Sequence, residues 1–175
     1  CMAKAKEMID WDSKYPARKL DNGHIRSVGV AMAMQGSGIS GVDIANAEIR
    51  LNDDGFYTLL IGCTDMGTGC DTILSQMAAD CLDCDIDKIA VRGVDTDQSP
   101  YDTGSYASST TYVTGMAVVK TCQELREKIL ETGCKLLGID KEKGDFDGEK
   151  VFELETERSV SLSEIGYASF EGHNK

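Results

Sequence analysis

The sequence predicts an α+β fold, in which a mostly antiparallel sheet has helices packed on one face. Two runs of alternating apolar and polar residues flank Asp54-Gly55 and predict a β-hairpin. Two later segments repeat apolar residues every three or four positions, the spacing of amphipathic helices. Because the chain has 175 residues, of which 41% are apolar and 27% charged, we expect a single domain across residues 1–175.

The charge balance bears on the partners of the chain. It has 18 Lys and Arg against 30 Asp and Glu, a formal net charge of −12. This acidic surplus disfavours nucleic acid, whose binding needs clustered cations, and it disfavours anionic membrane surfaces. No apolar stretch is long enough to span a bilayer, and no charged-then-apolar signal segment opens the chain. We therefore expect no nucleic-acid partner and no membrane partner.

Seven cysteines, odd in number and irregularly spaced, indicate a reduced, cytoplasmic protein rather than a disulfide scaffold. The pattern Cys81-x-x-Cys84 is weak evidence of zinc, because no second pair lies at a suitable spacing. Cys70 opens a predicted helix and is a candidate reactive thiol. Asp65 and Asp71 would oppose a thiolate there, and no nearby His supports one. We assign no catalytic residue and no metal ligand.

The first 41 residues combine helical, loop and strand patterns. Residues 2–10 favour a short helix, and residues 11–23 are polar and predict a loop. In residues 24–35 bulky apolar side chains alternate with glycine and alanine, which predicts a strand with one small face. Residues 36–41 are predicted to form a flexible glycine turn.

The hairpin is the clearest local signal. Apolar residues alternate with polar ones over residues 47–51 and 57–63, and the turn between them needs the positive φ that Gly55 tolerates. The later elements are predicted in chain order as loop 64–71, helix 72–82, strand 88–94, loop 95–104, a long helix with an apolar stripe over 118–136, charged loop 139–149, strands 150–154 and 158–161, helix 163–170 and a five-residue tail.

A glycine-containing segment, residues 64–72, leaves a strand and enters a helix. Such a loop brings unpaired amides and the positive end of a helix dipole together, and Gly67 and Gly69 permit close approach of a ligand. The same pattern also fits an ordinary turn, with Asp71 or Thr72 capping the helix. It lacks the lysine ending of a P-loop and is not G-x-G-x-x-G.

A hydroxyl-rich segment, residues 103–111, also follows a strand and opens a helix. Six of its nine residues are Ser or Thr, which can both donate and accept hydrogen bonds. One or two of them could instead cap the helix while the others stay solvated. If the two preceding strands are neighbours, both loops lie at one end of the sheet and can face one ligand. The surrounding aspartates favour a ligand held by hydrogen bonds over a bare anion.

Both segments resemble motifs of the molybdenum hydroxylases, the xanthine dehydrogenase and aldehyde oxidase family. MGTGCDT (66–72) resembles the family's M-G-Q-G-x-x-T loop, and TGSYASSTTYVTGMAV (103–118) resembles its G-T-Y-A-S-R-T-T-Y-x-x-G-x-A-V segment. GHIRSVGVAMAMQGSG (23–38) looks like a strand of the same family. The order and spacing agree over roughly residues 5–170, so the chain resembles a fragment of the molybdenum-cofactor-binding subunit.

The resemblance implies a cofactor, molybdenum-molybdopterin, and leaves open whether it is the dinucleotide form. It implies that the two loops hold opposite sides of the pterin through Gly67, Thr68 and Gly69 and through Ala107, Ser108 and Thr110. Complete enzymes of the family oxidise a C–H carbon of a purine or an aldehyde with oxygen from water. Their iron–sulfur clusters and FAD are expected in other domains or subunits, so the implied partners are those subunits and the rest of the molybdenum subunit.

The sequence also departs from the family pattern. Thr68 replaces the family's Gln and reaches less far, and Ser109 stands where an Arg is common. The G-x-G-E motif that carries the family's base is absent, as is the F-G-G segment that lies over the metal. The resemblance therefore implies an oxidoreductase fragment that is inactive alone. The alternatives are a non-catalytic, acidic small-ligand-binding or interaction module and a thiol-redox protein.

Overall fold

The computed structural model describes residues 1–36 and 39–170. The predicted turn at 36–41 falls partly outside these residues, and the predicted tail falls wholly outside them. The contacts divide the chain into two compact units, Cys1–Gln35 and Gly36–Lys175. A single domain over the whole chain stays a prediction.

The first unit begins with the predicted helix and contains little sheet. Its elements are α1 (Met2–Met8), α2 (Trp11–Lys14), β1 (Arg18–Lys19) and β2 (Ile25–Arg26). The predicted loop 11–23 thus includes a helical turn, in which the rings of Trp11 and Tyr15 stack with centroids 4.9 Å apart. β1 and β2 pair antiparallel.

The predicted strand over residues 24–35 is wrong beyond Arg26. The following stretch has no regular structure, and Val30, Met32 and Met34 are 66%, 76% and 99% exposed. Alternation gives a strand its two faces, but a strand also needs a neighbour for its amides and carbonyls. Within the described residues no strand pairs with this stretch.

The second unit opens with the predicted hairpin, which is confirmed. β3 (Ala47–Leu51) and β4 (Tyr57–Ile61) pair antiparallel from Ala47 opposite Ile61 to Leu51 opposite Tyr57. Gly55 has φ of 84° in the turn, and the Asp54 carboxylate accepts a hydrogen bond of 2.9 Å from the following Phe56 amide. Local turn chemistry and alternation therefore fix the register of this pair.

The third strand, β5 (Ile89–Gly93), pairs with β4 in parallel, so this sheet has the order β3-β4-β5. The connection between them is α3 (Cys70–Leu82), which begins two residues before the predicted helix. This helix returns the chain to the end of the sheet at which β4 begins, so the next strand runs in the same direction as β4. The sheets are mostly antiparallel and the predicted α+β class is confirmed.

A long helix joins this sheet to a second one. A π-helical turn, Thr110–Thr114, leads into α4 (Gly115–Leu137), which packs on α3 and on strands of both sheets. The second sheet is antiparallel, with the order β6 (Gly144–Phe146), β7 (Lys150–Glu153) and β8 (Ser159–Ser161), and α5 (Leu162–Phe170) follows it.

The predicted strands at 150–154 and 158–161 and the predicted C-terminal helix are confirmed to within a residue or two. β6 lies inside the segment predicted as a charged loop. The sequence does not indicate this strand, because its only large apolar side chain is the buried Phe146. Across the described part of the chain, no helix has the length and apolar character needed to cross a bilayer.

Candidate functional site

Parallel pairing of β4 and β5 places two loops at one edge of the sheet. The first loop (residues 62–69) follows β4, and the second loop (residues 94–109) follows β5. Because the carboxyl ends of parallel neighbours lie side by side, both loops leave the same edge. The sequence-based condition for a shared site, neighbouring strands, is therefore met.

The two loops contact each other closely near the strand ends. A Cβ built on Gly62 would lie 2.3 Å from the carbonyl oxygen of Pro100 and 2.7 Å from Cβ of Asp102. Only glycine permits this approach. The Asp102 carboxylate in turn accepts a 2.8 Å hydrogen bond from the Gly104 amide and a 3.4 Å bond from the Thr114 hydroxyl.

Ser105 links the loops directly. Its hydroxyl donates to the carbonyl oxygen of Thr64 at 3.0 Å and accepts from the amide of Thr64 at 3.2 Å. In the sequence, Ser105 is one of six hydroxyl-bearing residues in its segment, and nothing singles it out. No local pattern could have done so, because its partner lies 41 residues away.

In the first loop, the carboxylate of Asp65 is the central acceptor. One of its oxygens accepts from the amides of Gly67 at 2.7 Å and Gly69 at 3.1 Å. These bonds, with smaller contributions from the Thr68 and Cys70 amides, hold the pKa of Asp65 below its ordinary value. From the sequence, Asp65 is expected only as a repelling charge, although an Asp two residues before a glycine is a known turn signal.

Glycine gives the first loop an open surface. Gly67 and Gly69 have φ of 94° and 73°, and a Cβ on either would meet nothing within 4 Å. Gly69 is also the N-cap of α3, which has no side-chain hydrogen bond at that cap. The predicted amides are thus present at the helix start, but Asp65 already engages those of both glycines.

The second loop keeps donors available. Ala107 and Ser108 have left-handed φ of 52° and 56°, a costly conformation for residues other than glycine. Their neighbours hold this shape, since both the amide and the hydroxyl of Ser109 donate to the Tyr106 carbonyl, at 3.1 and 2.7 Å. Within residues 1–36 and 39–170, the amides of Ala107 and Ser108 donate to no acceptor.

The predicted hydroxyls differ in accessibility. Ser108 is exposed, Thr68 is exposed, and Thr110 is half-buried at the start of the π-helical turn. All six predicted site residues therefore lie on the two loops or directly after them. Two of them, Gly67 and Gly69 in the first loop, donate their amides to the exposed carboxylate of Asp65.

The thiols of Cys63 in the first loop and of Cys70 at the start of α3 are buried. Burial raises the pKa of Cys63 to about 12, and burial also raises the pKa of Cys70, to which Asp71 and Asp65 contribute. The pKa values of Cys81 and Cys84 are raised by burial as well. Thiols of this kind are poor nucleophiles, which weighs against a redox role. In the described residues, no group of three or more His, Cys, Asp or Glu side chains could hold a metal ion.

Comparison with known proteins identifies relatives. Probable hypoxanthine oxidase XdhD of Escherichia coli (strain K12) is 42% identical over 139 residues, covering 78% of this chain and 14% of that protein. The putative xanthine dehydrogenase molybdenum-binding subunit XdhA of the same strain is 32% identical over 141 residues, covering 78% and 19%. This chain thus spans less than a fifth of the length of either relative.

Solved structures share the fold. Reconstituted CO dehydrogenase from Oligotropha carboxidovorans superposes with a TM-score of 0.67 at 23% identity, covering 74% of this chain and 16% of that one. Quinoline 2-oxidoreductase from Pseudomonas putida 86 gives 0.62 at 22% identity, covering 76% and 17%.

The family model for the molybdopterin cofactor-binding domain matches residues 4–174, almost the whole chain. The resemblance to molybdenum hydroxylases is thereby confirmed. The chain belongs to the molybdopterin cofactor-binding domain family.

Proposed function

We propose that this chain holds the molybdopterin cofactor between its first and second loops, as one domain of a xanthine dehydrogenase-like oxidoreductase. The observation that carries the proposal is the parallel pairing of β4 with β5, together with the Ser105 link between the loops. A flat heterocycle needs polar groups on more than one side, and two loops at one sheet edge can supply them.

The second loop fits the polar groups of a pterin. The amides of Ala107 and Ser108 are held in a strained conformation with no acceptor in the described chain, and the Ser108 hydroxyl is exposed. Donors preorganised in this way can bind carbonyl, ring-nitrogen or phosphate acceptors without first giving up another bond. We assign Ala107, Ser108 and Thr110 to this side of the cofactor.

The first loop contributes differently. Since Asp65 engages the amides of Gly67 and Gly69, we assign the open glycine surface and the Thr68 hydroxyl to the cofactor rather than those amides. The charge of Asp65 also disfavours an anionic group on this side, so phosphate would lie toward the second loop. When bound, molybdopterin would supply the metal centre for oxygen-atom transfer.

The reaction we propose is oxidation of a C–H carbon of a purine or an aldehyde, with oxygen from water. The names of XdhD and XdhA support a purine, and aldehyde oxidoreductase subunit PaoC of E. coli, 26% identical over 94% of this chain and 21% of its own length, supports an aldehyde. Iron–sulfur and flavin subunits would receive the electrons. All seven cysteines are free, which agrees with a cytoplasmic protein.

We further propose that the chain alone does not turn over substrate and that the rest of a molybdenum subunit is its first partner. Its sequence lacks the G-x-G-E motif, and it spans less than a fifth of XdhD and XdhA. The exposed apolar side chains of Val30, Met32 and Met34 in the first unit also support a missing neighbour.

Equilibrium dialysis would test cofactor binding. Molybdopterin released anaerobically from a purified molybdenum hydroxylase is dialysed against the chain, and bound molybdenum and bound pterin are measured separately. We expect both to be retained, and we expect Ser108→Ala, which removes the exposed hydroxyl, to weaken retention. Ser99→Ala is the control, since its hydroxyl bonds only to Asp95 within the second loop. Retention of nucleotides but not of molybdopterin would favour the non-catalytic module instead.

A further inference from the structure

We propose that Ser105 is a positioning residue that holds the first loop against the second at the separation required by a shared ligand. The proposal rests on the proposed function, because the ligand is molybdopterin. It adds a residue that the resemblance does not assign, and it makes the link between the loops, rather than either loop alone, the feature that creates the site.

The bonding of Ser105 is reciprocal. Its hydroxyl donates to the Thr64 carbonyl oxygen at 3.0 Å and accepts from the Thr64 amide at 3.2 Å, so it uses both hydrogen-bonding groups of one residue. A neighbouring strand would normally use those groups, but β4 and β5 end at Ile61 and Gly93. The hydroxyl therefore continues the link between the two segments of the chain after the strand pairing has ended.

Other contacts hold the part of the second loop that precedes Ser105. Gly62 packs on Pro100 and Asp102, and the Asn46 side chain donates to the Tyr101 carbonyl at 2.7 Å. Among the described residues, the Ser105 pair supplies the only hydrogen bonds between the first loop and the second loop.

The location of this link suits a positioning role. Ser105 comes two residues before Ala107, and Thr64 comes three residues before Gly67, so the link lies at the base of both ligand-binding segments. Ser105 is half-buried, so water can form some of the hydrogen bonds that are lost when its hydroxyl is removed. We therefore expect its loss to leave the fold intact and to change the spacing of the loops.

The test compares three variants of the whole chain with wild type. Ser105→Ala removes the hydroxyl, Ser105→Thr keeps it, and Ser99→Ala is the control because the Ser99 hydroxyl stays within the second loop. The measurements are the exchange rate of the Thr64 amide by NMR and the Kd for molybdopterin by anaerobic dialysis. Loss of two ordinary hydrogen bonds predicts about tenfold faster exchange and about tenfold weaker binding for Ser105→Ala.

The expected result is that Ser105→Thr restores both values and Ser99→Ala changes neither. Equal molybdopterin binding by wild type and Ser105→Ala would overturn the positioning role, whatever the exchange rate shows. Absence of binding by wild type would overturn the proposed function, and the positioning role with it. If Ser105→Ala does not fold, Ser105→Val, which has nearly the shape of Thr but no hydroxyl, takes its place, and wild-type affinity in that variant would overturn the proposal.

Discussion

Replacing Gly62 with alanine should disturb the contact between the two loops more than alanine at any other glycine of these loops. The new Cβ would lie 2.3 Å from the Pro100 carbonyl oxygen, more than 1 Å inside the 3.4 Å at which ordinary contact begins. It would also lie 2.7 Å from Cβ of Asp102. Both obstacles belong to the backbone or its first side-chain atom, so neither can rotate away.

The loops must therefore separate by about 1 Å, or the ends of β4 and β5 must shift. Overpacking of this kind costs about 1–3 kcal/mol. With a urea m-value of about 2 kcal/mol/M, a cost of about 2 kcal/mol lowers the unfolding midpoint by about 1 M. Because the loops move apart, molybdopterin retention should fall as well.

Urea unfolding followed by far-UV circular dichroism measures the effect. Gly29→Ala is the matched control, because a Cβ at Gly29 meets nothing within 4 Å and its φ lies outside the left-handed region. That variant should unfold at the wild-type midpoint. A Gly62→Ala midpoint within about 0.2 M of wild type, at an unchanged m-value, would refute the inference that the loops touch through this glycine.

Three further predictions concern charge and thiol chemistry. Amides of the first loop lower the pKa of Asp65, so the loop should be fully ordered above the ordinary Asp pKa and should lose that order as the pH falls through the lowered pKa. The NMR signals of the loop amides should show this pH dependence in wild type and should not show it in Asp65→Asn. At pH 8 a disulfide reagent should modify the exposed Cys1 first and the buried Cys63, whose pKa is about 12, on the order of 100-fold more slowly, as measured by mass spectrometry. Arg126→Ala removes hydrogen bonds of 3.0 and 3.4 Å to two carbonyls and a cation–π contact, so it should lower stability by about 1–3 kcal/mol in thermal unfolding, while Lys128→Ala on the same helix should not.

The sequence predicts best those elements whose determinants are local. The hairpin of β3 and β4 follows from alternation and from Asp54-Gly55, all within fifteen residues. The stretch after β2 shows the opposite case. Its alternation is as regular, yet without a neighbouring strand among the described residues it remains irregular and exposed.

The candidate site also contains residues that the sequence predicts and residues that it does not. Motif resemblance places five of the six predicted residues on the two loops and Thr110 directly after the second, because each motif is continuous in sequence. Asp65 and Ser105 are not predicted, for different reasons. The hydrogen bonds of Asp65 are local, so the Asp-x-Gly turn signal could have indicated them. The role of Ser105 depends on a partner 41 residues away. The link from Ser105 to Thr64 exists only because β5 lies beside β4 in parallel. A helical crossover makes that arrangement possible, but the sequence pattern does not specify the partner strand.

The two loops would offer different groups to the proposed ligand. Asp65 satisfies the amides of Gly67 and Gly69, so the first loop is ordered without a ligand and offers mainly shape. Ala107 and Ser108 are held in a strained conformation with unengaged amides, so the second loop offers hydrogen bonds that only a ligand or water can complete. A ligand that contacted both loops would accept hydrogen bonds from the second loop and pack on the rigid surface of the first. Its binding would cost little conformational entropy, because little of the chain would have to become ordered. The distance between these two sides then decides whether one molecule can contact both, and in this structure Gly62 and Ser105 set that distance.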